Sequence, residues 1–118
     1  MMQNLKANNR LVLGEREAVL KEVRKFGGVY IDPNPSVLSA LRQGNIDPYL
    51  IYEQALVAQL DKQIPRVDFV YAEVDALYQE WNGKPEDQIP IHVRLVIWLK
   101  SNAAAHGYQQ SGNSWILK

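Results

Sequence analysis

The stretch "IPIHVRLVIWLKSNAAAHG", residues 89–107, decides the fold. As a strand, its first half alternates. Ile91, Val93, Leu95, Ile97 and Leu99 are apolar, while His92, Arg94 and Lys100 take intervening places. The β-branched content agrees with that reading. Against it, Val96 and Trp98 break the polar face. Pro90 stands where a first helical residue belongs, and Gly107 where a helix stops. "NAAAH" continues with strong helix formers and no turn chemistry. About seventeen residues is also too long for an ordinary strand. These boundary signals predict a helix over 90–106. Being apolar on all sides, it is expected at the centre, wrapped by the others. The alternative is an α+β domain with 91–99 as a strand.

Four more helices are expected upstream. "GEREAVLKEVRKFGG" puts Val19, Leu20, Val23 and Phe26 on one face, with Gly14 as N-cap and Gly27-Gly28 as the stop. Asn34 caps a helix beginning at Pro35, with Val37, Leu38 and Leu41 inward. Asp47 and Pro48 repeat the device, and Tyr49, Tyr52, Leu56 and Leu60 form a stripe that Ile64-Pro65 ends. Val67, Val70, Tyr71, Val74, Leu77, Tyr78 and Trp81 keep helical spacing, predicting one helix over 66–81 with Asp68, Glu73, Asp75 and Glu80 on its solvated side. Between the first two helices, Val29 to Ile31 reads as extended. The tail "GYQQSGNSWILK" reads as a short hairpin turning at Ser111-Gly112-Asn113, and "RLVL" near the N-terminus is either a strand partner for "WILK" or a helical extension. The expected class is therefore mainly α: a compact five-helix single domain over residues 1–118, with a short β-hairpin or terminal strand pair.

A chain of 118 residues fits one domain and can bury a core without disulfides or metal. No cysteine is present, which removes thiol nucleophiles, disulfides and cysteine-held metals. The N-terminal residues lack the apolar run of a secretory signal, and the longest apolar run, 95–99, is far too short to cross a bilayer. A cytoplasmic protein with no membrane partner is expected. Net charge is zero but unevenly spread. Residues 1–45 carry seven Lys/Arg against four Asp/Glu, residues 46–87 carry three against nine, and residues 88–118 carry three against none. The segments either complement one another's surfaces or bring two basic ends together as a phosphate-binding patch.

No catalytic, cofactor or metal site is expected. His92 and His106, the two histidines, would sit about 21 Å apart along one helix, too far to share a metal or a proton. The pairs Asp68/Asp75 and Glu73/Glu80, each seven apart, have the spacing of a solvated face as well as of paired acids. "SGNS" lacks the flanking glycines of a nucleophile elbow. Six Tyr and three Trp against two Phe is a bias toward rings with a polar edge, which suit interfaces. The leading expectation is a non-enzymatic protein-interaction or assembly module, homodimeric or a subunit, using Tyr49, Tyr52, Tyr71, Tyr78, Trp115, Ile116 and Leu117. The alternative is a nucleic-acid-binding protein with phosphate contacts from Arg16, Lys21, Arg24, Lys25, Arg94 and Lys100.

Overall fold

The computed structural model describes residues 9–118. In chain order the elements are β1 (Arg10–Leu13), α1 (Arg16–Phe26), α2 (Pro35–Gln43), α3 (Tyr49–Asp61), β2 (Arg66–Phe69), α4 (Val74–Trp81), α5 (Ile91–Asn102), β3 (Tyr108–Ser111) and β4 (Ser114–Leu117). Five helices form, the one expected over 66–81 only in its second half, and the class is α+β, because four strands make one sheet in the order β1-β2-β4-β3.

The route to that class differs from the alternative weighed above. Residues 91–99 are helical, as their boundary signals require. A last turn over Ala103–His106 tightens into a 3-10 helix and ends at Gly107, whose φ of 91° is left-handed. The extra strand comes instead from 66–69. The single helix expected over 66–81 is thus corrected to β2 followed by the shorter α4. Val67 and Phe69 point one way and Arg66 and Asp68 the other, a period of two. On a helix, Phe69 would have stood about 200° round from Val67, away from the apolar stripe. As a strand, β2 buries both.

β1 runs parallel to β2, with Leu11 opposite Val67 and Leu13 opposite Phe69. β4 pairs antiparallel on the other side of β2, with Trp115 opposite Val67. "RLVL" and "WILK" therefore do not pair with each other; they flank the same strand. β3 and β4 form a hairpin with a two-residue loop, in which Gly112 takes a φ of 60°.

One face of the sheet, with Leu11, Leu13, Val67, Phe69, Tyr108 and Trp115, packs on Leu56 and Leu60 of α3, Val74 of α4 and Leu95, Val96 and Leu99 of α5. Each such side chain contributes about 1.5–3 kcal/mol by leaving water. α5 lies on the sheet between neighbours rather than wrapped by four helices. Arg94 meets Tyr49 of α3, and Lys100 meets Asp75 of α4. The opposite sheet face is mostly polar, with Val12 buried on it and Ile116 half-buried. Asp68, expected in solvent, is buried there among Arg10, Arg66 and Ser114. α1 lies on this side, where Glu22 reaches Arg10 at 3.2 Å.

Two turns of sequence chemistry hold as read, and one shifts. Asn34 caps α2 through the Ser36 N–H, and Asp47 accepts the N–H of Tyr49. At α1 the cap is Glu15 rather than Gly14; its carboxylate accepts the N–H groups of Glu17 and Ala18. Gly28 has φ 125° and leaves no room for a Cβ, which would come within 3.0 Å of Arg10 Cγ. That close approach lets Val29 lie along the outer edge of β1 and exchange two backbone hydrogen bonds of 2.9 Å with it.

Candidate functional site

The sheet has two edges, and the chain treats them differently. β1 is closed by Val29, whose carbonyl accepts from Val12 N–H and whose N–H donates to the Arg10 carbonyl. β3 pairs only with β4. In a hairpin with a two-residue loop, the residues flanking the loop form a hydrogen-bonded pair, and such pairs recur at every second position. Ser111–Ser114 is that pair here, and the bond from Lys118 N–H to the Gly107 carbonyl keeps the same phase. The N–H and C=O groups of Tyr108 and Gln110 therefore point outward, with no backbone partner among the described residues.

The edge is also plain. From Tyr108 to Leu117 the hairpin carries no charge and no proline. It has no bulge, since its register is unbroken. Charge, proline and bulges are the devices that keep exposed edges from pairing. Beside β3 lies a groove whose other wall is the end of α5, with Leu99, Ala103 and Ala104 on one side and Tyr108 and Gln110 on the other. The groove is held in shape. Tyr108 is buried and its hydroxyl donates to the Ile64 carbonyl at 2.5 Å; burial also raises its pKa. Gln110 donates to Asp75 and to the Gly112 carbonyl, both at 3.0 Å. Hydrogen bonds from Lys100 and then Gln110 hold the Asp75 carboxyl below its ordinary range. Asn113, in the loop, accepts the N–H of Val74 at 3.0 Å and donates to the Ala72 carbonyl, so the hairpin caps α4.

The seven aromatic and apolar residues expected at an interface do not gather on one surface. Trp115 is 1% exposed and belongs to the chain's own core, with Ile116 and Leu117 half-buried beside it on β4. The tail pairs within its own sheet. Tyr49 is buried under the Arg94 guanidinium, 4.0 Å from its ring, and desolvation drives its pKa upward. Tyr52 is half-buried on α3, and Tyr78 lies under Lys100. Only Tyr71 is well exposed, at 59%.

The six expected phosphate contacts are divided as well. Arg94 is spent on Asp47 at 2.7 Å, which with the Tyr49 N–H lowers the Asp47 pKa. Lys100 is spent on Asp75 and Arg16 on Asp32. Lys21, Arg24 and Lys25 stay together on the exposed face of α1, with no ion pair among the described residues. Among the described residues these six thus do not form one unpaired basic patch.

The histidines serve separate places. His92, in the first turn of α5, is half-buried against Phe69 and Tyr71, with ring centroids 6.2 and 5.3 Å away. Desolvation lowers its pKa, and Glu15 opposes this only in part. His106 sits beside Trp98, with Asp61 3.6 Å from its Nδ1. Among the described residues no cluster of three His, Asp or Glu side chains is arranged to hold a metal, and no helix is long and apolar enough to cross a membrane.

No family model, curated protein or solved structure matches this chain.

Proposed function

We propose that the protein is a non-enzymatic association module that pairs with a second copy of itself through β3. One observation carries the reading: among the described residues, one sheet edge is closed by Val29 and the other is left open, with an uncharged, unbulged strand. Antiparallel pairing of two β3 strands satisfies the outward groups of Tyr108 and Gln110 on both copies and makes an eight-stranded sheet. Two-fold symmetry places Lys118 of each copy at opposite ends of the seam, and Lys100, which also lines the groove, is paired with Asp75. A four-residue edge is short, so the dimer is weak and exchanges readily, as small interfaces do.

The test uses Gln110→Pro. Its N–H points away from β4, so proline removes a bond of the seam and none of the hairpin ladder. A second variant, Gln109→Lys with Ser111→Lys, puts like charges on both sides of the seam. Sedimentation at several hundred micromolar should show a concentration-dependent dimer for the wild type and monomers for both variants, with melting temperatures within a few degrees of one another. A wild type that stays monomeric at that concentration would end the proposal.

A further inference from the structure

A cleft of about 190 Å³ opens beside the C-terminal end of β1. The elements that shape it meet there because β1 passes through Gly14 directly into α1, while Tyr30 and Ile31 continue from the strip that closes the β1 edge. Its walls are Val19 and Leu20 of α1, Ile31, and Ile91 and Leu95 of α5. Four side chains with polar atoms join them: Arg16, Tyr30, Tyr52 and His92. The His92 ring lies against Phe69 and Tyr71 and makes no hydrogen bond among the described residues. The outer ends of parallel strands are where α/β sheets place their ligands, and an apolar wall with a few polar groups is the usual lining of a small-molecule site.

Charge and size narrow the ligand. Arg16 is the one charged residue in the lining, and Asp32 answers it at 3.1 Å. The free N–H groups of the first turn of α1, which would otherwise attract an anion, are taken by Glu15. No unpaired carboxylate lines the walls, so a cation finds no partner either. An apolar protein cavity of about 150 Å³ is enough for benzene, and this cleft is slightly larger.

We infer that the cleft binds a small neutral aromatic alcohol, a phenol-sized ring held by Val19, Leu20, Ile91 and Leu95 with its hydroxyl on the free imidazole of His92. The ring replaces water on the apolar walls, and the hydroxyl finds either a donor or an acceptor on a neutral imidazole. The site shares no residue with the β3 edge, so it stands or falls independently of self-association.

Phenol and benzene, titrated into the full chain at neutral pH and followed by amide chemical shifts, test the assignment. Saturable shifts confined to residues 12–20, 30–31 and 91–95 support it. His92→Phe keeps the wall and removes the polar atoms. It should weaken phenol about three- to tenfold, the worth of one hydrogen bond, and leave benzene unchanged. Leu20→Trp should fill the cleft and abolish binding of both. Absent or scattered shifts in the folded wild type, or equal losses of phenol and benzene in His92→Phe, overturn it.

Discussion

Arg10 and Asp68 stand on neighbouring parallel strands, and the Arg10 Nε donates to the Asp68 carboxylate at 2.8 Å. The two side chains are 15% and 10% exposed. Arg10 is further held by the Gly27 carbonyl at 3.0 Å and by Glu22, so one guanidinium ties β1, β2 and the end of α1 together. Removing one partner of a buried pair leaves the other uncompensated. Asp68→Ala should therefore cost about 3 kcal/mol, at the lower end for such pairs because Glu22 remains. Urea unfolding checks the figure, and a loss below about 1 kcal/mol would show that the network contributes little.

The same carboxylate sets an acid limit. Burial works against its charge, but hydrogen bonds from Arg66, Ser114 and Arg10 outweigh burial and bring the Asp68 pKa below its ordinary value. An acid with a depressed folded pKa stabilises fully above the unfolded value, about 3.9, and loses that contribution as pH falls through the folded value. Wild-type melting should drop steeply below about pH 4. Asp68→Asn should start lower and fall less over that range.

His92 gives a second pH step with a different window. Its folded pKa is lowered, so below about 6.5 the unfolded chain takes up a proton that the folded chain resists. Stability is expected to decline as pH falls from about 6.5 toward the folded value, before the carboxylates titrate. His92→Phe should remove this step and leave the acid step in place. Identical profiles for the two proteins between pH 5 and 7 would contradict it.

The hairpin turn should matter beyond the hairpin. Asn113 satisfies the first N–H of α4 and a carbonyl of the preceding loop. Asn113→Ala should cost about 1–2 kcal/mol, as for a lost helix cap. Deleting residues 114–118 removes β4, with Trp115, from between β2 and β3. That truncation should abolish cooperative thermal unfolding by circular dichroism; a folded truncated monomer would contradict the sheet order.

Nucleic-acid binding has a quantitative bound. Only Lys21, Arg24 and Lys25 remain together without carboxylate partners among the described residues. Three phosphate contacts give a log–log salt slope of about −2.7 for duplex DNA. A steeper measured slope would mean that cations outside this cluster also contact phosphate.

The helices were legible because their ends are written locally. Asn34-Pro35 and Pro90 with Gly107 act within a few residues of themselves. The strand at 66–69 was not, because Val67, Val70 and Val74 keep a helical interval by coincidence, and only Phe69 betrays the period of two. That one misreading hid the rest. Without β2 there is no sheet to bring Arg10, Asp68 and Ser114 together, since they lie 58 and 46 positions apart in sequence. The hairpin itself was visible. That its first strand forms an open edge depends on strand order, which no local pattern encodes. The roles of Tyr108, Gln110 and Asn113 were hidden for the same reason.

The strand order also governs how the protein can be made. β4 is the last strand in the chain, yet it lies inside the sheet, against β2. During synthesis β1, the helices and β2 emerge well before the strand that completes them. Until β4 arrives, β2 keeps one edge of unpaired backbone N–H and C=O groups and Val67 lacks Trp115 beside it, and closing that edge joins residues 46 to 50 positions apart. Such distant pairing is slow to form, and bare edges are where nascent chains go astray. A ribosome paused before the hairpin would thus hold a chain whose β2 is free to pair with the wrong neighbour.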